Sequence, residues 1–264
     1  MNPRYKTILG CIIFNLLLEY WVHGIETFVI AWYTAPALFL LYLAFFSMLE
    51  DVIVRFKLRD YQVFLCGFIF GYTLDLFYLG DVFKDEIFLG INPIIVILIH
   101  MSWWGFLQSV LGMYFSNQVF GSRDWDHPKM GVLGWVLSIG YLAFILVSEQ
   151  IEQVGNTGQP TFPYGSLTGY ITSIIIISST VLVFWKTLRH KESLRFNKSR
   201  TLDFLTASTL ILCISIGTFL GYGNYEIEGF QLFEFRSILL ILWTIFIGFV
   251  FSIYRAITRR SVSI

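Results

Sequence analysis

Long apolar runs separated by short polar loops cover almost the whole of this chain. A helix that crosses a bilayer needs about 20 consecutive apolar residues. By this rule the pattern predicts about eight membrane spans, with approximate limits 6–22, 30–54, 61–82, 91–116, 130–149, 166–187, 203–222 and 234–256. The chain is therefore predicted to be an all-α integral membrane protein, a bundle of transmembrane helices that forms a single domain over residues 1–264.

Composition agrees with this pattern. Of the 264 residues, 56% are hydrophobic and only 14% are charged, whereas soluble domains carry about 25% charged residues. The aromatic share of 19% also fits membrane helices, where aromatic side chains gather near the interfaces. An ordinary soluble domain is excluded.

The charges of the loops predict the orientation. The N-terminal segment and the loops that follow every second span are basic: they hold Arg4, Lys6, Arg55, Lys57, Arg59, Arg123, Lys129, Lys186, Arg189, Lys191, Arg195, Lys198, Arg200, Arg255, Arg259 and Arg260. The alternate loops are mainly acidic. Because Lys and Arg concentrate in cytoplasmic loops, we expect a multi-pass protein with both termini in the cytoplasm. Orientation also explains the basic loop 186–200, so no nucleic-acid partner is predicted.

Three ionisable residues lie where a hydrocarbon environment makes them costly. Asp75 lies inside the third span, His100 is near the middle of the fourth, and Glu149 ends the fifth. At ~1.5 Å of rise per residue, Asp75 and His100 fall at about the same depth. Such groups are candidate functional residues. Neighbouring turns carry aromatic side chains that could surround a substrate, namely Tyr72, Tyr78, Trp103 and Trp104.

Each of these residues also has a structural interpretation. Asp75 could be a neutral acid that ties two helices together, because burial favours the uncharged form of a carboxyl. His100 could be a satisfied residue of the bundle. Glu149 and Glu19 lie near helix ends, where water can reach them. Both interpretations stay open at the level of the sequence.

Two further polar groups are placed by spacing alone. Asn15 and Glu19 are one turn apart, so they share a face of the first helix. Glu50 and Asp51 lie close to Arg55 at the end of the second span, where we expect an interfacial ion pair.

Several chemistries have no motif here. The four histidines are scattered along the chain, without the HExxH spacing of a metalloprotease. Neither a glycine-rich phosphate loop nor a GxSxG elbow is present. We therefore predict neither a metal ion nor a cofactor.

The turn Ser122-Arg123-Asp124-Trp125-Asp126-His127 resembles a motif of small integral-membrane terpene cyclases from fungal meroterpenoid and indole-diterpene pathways. In that family an acid in an aromatic setting precedes the turn, as Asp75 does here, and another acid ends the next span, as Glu149 does. The family-like positions of the turn are Arg123, Asp124, Trp125 and His127. The chain departs from the family by an additional first span, a longer loop over residues 80–92 and the absence of an acid from 243–255.

The resemblance implies a metal-independent membrane terpene cyclase, an enzyme of the isomerase or lyase type. Such an enzyme protonates a prenyl chain held in the bilayer, and the resulting carbocation closes rings. Asp75 would be the proton donor, with Glu149 and His100 as further catalytic residues and the four aromatic side chains around the substrate. The partners implied are a lipid or prenylated small molecule and the bilayer itself.

Two other classes of function fit the same residues. A small transporter or proton-coupled carrier would use Asp75 and His100 as a proton relay. A non-catalytic membrane subunit would bind a partner protein through its aromatic surface. The cyclase is our leading prediction, and the carrier and the non-catalytic subunit are its alternatives.

Overall fold

A computed structural model describes residues 3–23, 35–120, 129–157, 164–188 and 200–219, together with 226–227, 230–231, 242–243 and 246. Helices make up nearly all of this part of the chain. Their bounds are α1 Pro3–His23, α2 Ala35–Phe56, α3 Asp60–Leu74, α4 Pro93–Ile95, α5 Gly112–Phe120, α6 Val132–Thr157, α7 Leu167–Thr187 and α8 Arg200–Phe219. Two short strands, β1 Glu226–Ile227 and β2 Phe230–Gln231, pair antiparallel.

Two of these helices continue in a wider winding. A π-helical segment, Asp75–Leu79, extends α3, and a short 3₁₀ turn, Asp81–Phe83, follows it. The 16 residues Val96–Leu111, here called the long π-helix, join α4 to α5. Inside it, the Ser102 and Ser109 hydroxyls donate to the carbonyls of Ile97 and Trp104. π-Helical turns are rare and frequently accompany functional sites.

Four helices within the described residues are long and apolar enough to cross a membrane: Ala35–Phe56, Asp60–Leu79, Pro93–Phe120 and Leu167–Thr187. They correspond to the second, third, fourth and sixth predicted spans, so the prediction of a helical membrane protein is supported. The first, fifth and seventh predicted spans coincide with the helices α1, α6 and α8. Most of the eighth lies outside the described residues.

Local sequence explains where the third and fourth spans end and begin. Gly80 adopts a left-handed conformation with φ 69°, which glycine tolerates without strain. Its N–H donates to the Asp75 carbonyl and closes the π-helical end. Asn92 then caps the next helix by accepting from the Ile94 N–H, and Pro93 occupies the first helical position, where a missing N–H does no harm.

The third and fourth spans pack closely because two glycines face the long π-helix. A side chain at Gly67 would collide with Ser109, and one at Gly71 would collide with the Trp104 ring. The spacing Gly67-x-x-x-Gly71 is the small-residue pattern that lets membrane helices approach each other. This close contact brings residues of α3 and the long π-helix into one buried layer.

Acidic residues on α2 tie it to its neighbours. Asp51 is buried and accepts from the Arg55 guanidinium, the Met130 N–H and the Trp135 indole. Glu50 pairs with Arg4 of α1 at 2.8 Å. The ion pair predicted near Arg55 is therefore present, with Asp51 as its acid, and it also fixes the chain that leads into α6.

Candidate functional site

Asp75 lies at the junction of α3 and its π-helical end, with its side chain fully buried. Its Oδ1 accepts a hydrogen bond of 2.7 Å from the Asp81 N–H, and its Oδ2 accepts one of 2.9 Å from the Val82 N–H. These two donors open the 3₁₀ turn that follows Gly80. Both oxygens of the Asp75 carboxyl group therefore have a backbone hydrogen-bond donor.

His100 of the long π-helix is the other half of the site. Its Nε2 lies 3.0 Å from Asp75 Oδ2, and both side chains have zero exposure. Although the two atoms are close, the contact does not have the geometry of a hydrogen bond. Nδ1 of the same ring has no hydrogen-bond partner among the described residues. The Asp75–His100 pair thus has one ring nitrogen at the acid and one left over.

Aromatic and hydroxyl groups enclose the pair. The Tyr72 ring lies against the imidazole, with ring centroids 4.7 Å apart, and its hydroxyl shares a hydrogen bond of 3.1 Å with Ser173 of α7. Tyr72 and Ser173 are both completely buried. A third helix therefore reaches the site through one small polar side chain.

The loop of residues 80–92 closes the site on one side. Its main chain is held by Asn92, which donates to the Lys84 carbonyl and whose N–H donates to the Val82 carbonyl. Glu86 accepts from the N–H and the hydroxyl of Ser166, just before α7. The hydrogen bond with Asp81 raises the pKa of the exposed Lys84 above its ordinary value, so the Lys84 side chain is positively charged at neutral pH.

Of the four aromatic residues predicted to surround a substrate, Tyr72 packs against His100 of the pair. The Tyr78 carbonyl accepts from the Tyr164 hydroxyl. Trp104 is buried against other rings, among them Phe70 at 5.5 Å and Phe45 at 6.2 Å. Trp103 is partly buried at the edge of the same apolar core.

The remaining predicted site residues are not placed. The backbone of Glu149 is part of α6, but its side chain is outside the described part of the chain. The family-like turn, Arg123, Asp124, Trp125 and His127, also lies outside the described residues.

Sequence reasoning missed three groups that build the site. Ser173 lies in an isoleucine-rich helix. Its small polar side chain was the only sequence signal that this helix contributes to the site. The Asp81 and Val82 N–H groups belong to the backbone, so no side-chain pattern could indicate them. Only the left-handed turn at Gly80 directs them toward Asp75.

The arrangement can hold and move a proton. A carboxylate stabilised by two backbone donors stands beside an imidazole, and imidazole is the side chain best suited to gain and lose a proton near neutral pH. An acid that orients a histidine is a recurring device of general acid–base catalysis. No cluster of three or more His, Cys, Asp or Glu side chains that could bind a metal occurs within the described ranges.

Comparison with protein-family models, with curated proteins and with solved structures finds no match for this chain.

Proposed function

We propose that this protein is a membrane enzyme that cyclises a prenyl-chain lipid, with the Asp75–His100 pair transferring the proton that starts the reaction. The contact between Asp75 Oδ2 and His100 Nε2, fully buried between two helices that can cross a membrane, carries the proposal. Burying ionisable groups in a membrane span is costly, so such a pair is a candidate functional site. The resemblance of the turn Ser122–His127 to membrane terpene cyclases supplies the class of reaction.

We infer different roles for the two residues from their contacts. Both oxygens of Asp75 accept backbone hydrogen bonds, so we assign the mobile proton to the imidazole. His100 then acts as the general acid through Nδ1, and Asp75 stabilises the imidazolium through Nε2. This differs from the expectation that Asp75 itself donates the proton.

These roles restrict the substrate. An imidazolium is too weak an acid to protonate an alkene, whereas it can assist the opening of an epoxide. The proton moves from His100 Nδ1 to the epoxide oxygen, the C–O bond breaks, and a carbocation forms. Alkene electrons of the chain then form a C–C bond, and the last cation returns one proton to the imidazole. The product is an isomer of the substrate.

Conversion assays with membranes that contain the protein test this proposal. Linear prenyl chains with a terminal epoxide are compared with the same chains ending in an alkene, and products are identified by mass spectrometry. We expect a cyclic product of unchanged mass from the epoxide alone. His100→Gln, which can still accept and donate hydrogen bonds but cannot carry the proton, should reduce conversion at least ~100-fold.

Asp81→Asn provides the matched control, because Asp81 supplies only its main-chain N–H to the pair. This variant should keep near wild-type conversion. Full conversion by His100→Gln, or no conversion of any epoxide by the wild-type protein, would refute the proposed reaction.

One observation also favours a second candidate function, a proton-coupled carrier. Because the Asp75–His100 contact joins two different spans, gain or loss of a proton there changes the interaction between those helices. The discriminating assay is substrate flux in proteoliposomes under an imposed pH gradient. Flux that follows the gradient and disappears in His100→Gln would support the carrier in place of the enzyme.

A further inference from the structure

The loop between the third and fourth spans carries an exposed apolar tip, Ile87-Phe88-Leu89. The three residues are 62%, 61% and 56% exposed. Hydropathy places this loop outside the membrane, because the flanking spans are predicted to end at residue 82 and to begin at residue 91. Three consecutive exposed apolar side chains are unfavourable in water. The residues just before the tip are exposed and charged, namely Lys84, Asp85 and Glu86.

The backbone of the tip is a tight turn. The Ile91 carbonyl accepts from the N–H groups of Ile87 and Phe88, and the Ile91 N–H donates to the Phe88 carbonyl. The two residues at the apex, Leu89 and Gly90, have positive φ angles of 49° and 76°. A type I′ turn has this pattern, and its preferred pair is Asn-Gly. The turn therefore holds an apolar side chain at a position where a polar one is preferred.

Hydrogen bonds to α7 determine how deep the loop lies. Glu86 accepts from the N–H and the hydroxyl of Ser166, the residue that precedes α7. Three residues later, the Leu89 carbonyl accepts from the Thr172 hydroxyl at 2.9 Å. Thr172 lies about 7 Å along the helix from Leu167, the first residue of α7. The chain from Glu86 to Leu89 therefore runs along α7, away from the helix start and toward its middle.

The length of α7 relates this depth to a membrane. Its 21 residues extend about 31 Å, and the hydrocarbon core of a bilayer is about 30 Å thick. The first turn of α7 then lies at the membrane boundary, and the apex of the tip lies about 7 Å inside it, a depth that interfacial apolar segments reach. Exposed apolar side chains also occupy the adjoining ends of α7 and the fourth span, namely Leu167, Ile171, Ile94 and Ile97.

We propose that the tip Ile87-Phe88-Leu89 inserts into the bilayer leaflet at the end of the membrane where α7 begins, with lipid acyl chains as its partner. Its continuity with the exposed apolar ends of two spans favours lipid over a protein partner, and so does the position of Glu86 at the boundary. The same loop supplies the Asp81 and Val82 N–H donors of the candidate site. Insertion therefore holds that part of the site against the membrane, and it does not depend on the proposed reaction.

Spin-label accessibility in phosphatidylcholine liposomes tests the insertion. Lys84→Cys, Phe88→Cys and Ile175→Cys of the full-length protein are each labelled with a nitroxide, and identically treated wild-type protein corrects for the native cysteines. Collisions of the label with O₂, which concentrates in hydrocarbon, are compared with those of a neutral nickel chelate present on both sides of the vesicles. We expect the ratio of O₂ to nickel collisions to be at least ~5-fold higher at residue 88 than at residue 84, because hydrocarbon excludes the polar chelate.

The other two positions provide the controls. Lys84 is an exposed charged residue of the same loop, and Ile175 is an exposed residue about 12 Å along α7 from its start. The ratio should rise in the order 84, 88, 175. An equal ratio at residues 84 and 88 would place the tip in water and overturn the proposal. Low collision rates with both reagents at residue 88 would also overturn it, because protein, such as a second copy of this chain, would then cover the tip. Ile87→Cys, with the same expectations, replaces Phe88→Cys if that variant does not fold.

Discussion

The substitution Asp75→Asn tests the contacts on which the candidate site depends. Asparagine has the shape of aspartate, but one carboxylate oxygen becomes an NH₂ group. Asp75 accepts from the Asp81 N–H on one oxygen and from the Val82 N–H on the other, where Nε2 of His100 also lies. Either orientation of the amide therefore places a donor against a backbone donor.

The expected loss follows from these contacts. A hydrogen bond to a charged group contributes about 1.5–3 kcal/mol, and the Asp75→Asn variant loses one and weakens the other. The displaced N–H is buried without a partner, which adds about 1–3 kcal/mol. We expect a total near 3 kcal/mol, which corresponds to a fall of about 6–12 °C in the unfolding temperature of a chain of this size.

The assay is thermal unfolding of the purified protein in detergent, followed by tryptophan fluorescence. Asp81→Asn is the control, because it removes a partly exposed carboxylate and leaves the Asp81 N–H in place. A surface change of this kind should alter stability by no more than about 0.5 kcal/mol. If Asp75→Asn is no less stable than Asp81→Asn, the hydrogen bonds from the turn to the Asp75 carboxyl group do not stabilise the protein, and the reasoning is refuted.

Three further predictions address packing, capping and orientation. Gly71→Ala should destabilise by about 1–3 kcal/mol because the added methyl group meets the indole ring beside it, whereas Gly140→Ala, with nothing within 4 Å, should not reduce the unfolding temperature. Asp51→Asn should lower stability by about 2–3 kcal/mol through loss of its charged hydrogen bonds, and chemical or thermal unfolding measures it. In intact cells, an impermeant maleimide should label Lys84→Cys but reach Lys57→Cys only after permeabilisation, since the charge bias puts Lys57 in the cytoplasm; labelling of both in intact cells would contradict that orientation.

The helical architecture was predictable because apolar length is a strong signal. The limits of the third and fourth spans were close, since Gly80, Asn92 and Pro93 carry the ordinary end signals of helices. The sequence also predicted that Asp75 and His100 lie at about the same depth, because the positions of two antiparallel spans along the membrane normal can be compared. Depth does not predict which faces of the two helices meet. Here Gly67 and Gly71 of α3 leave room for the long π-helix on one face.

The wide helical winding and the backbone donors were not predictable. No residue pattern specifies the long π-helix, and α-helical and π-helical windings place the same residues at different angles around the helix axis. Within this π-helix, His100 lies against Asp75, and Gln108 donates a hydrogen bond to Glu19. Likewise, the ligands of the Asp75 carboxylate are main-chain N–H groups, whose direction depends on the turn and not on side-chain identity.

The contacts of Asp75 bear directly on the choice between the two kinds of prenyl substrate. A carboxyl that protonates an alkene must be neutral and strongly acidic, in a place that does not stabilise its charge before the reaction. Both oxygens of Asp75 accept backbone hydrogen bonds, and an imidazole lies beside one of them, so in the proposed reaction the mobile proton is that of His100. The proton available to a substrate is then that of the imidazolium, and an epoxide is the group that such an acid can activate. Conversion of an alkene-terminated chain would therefore refute the assignment of roles within the pair, even if cyclisation itself were found.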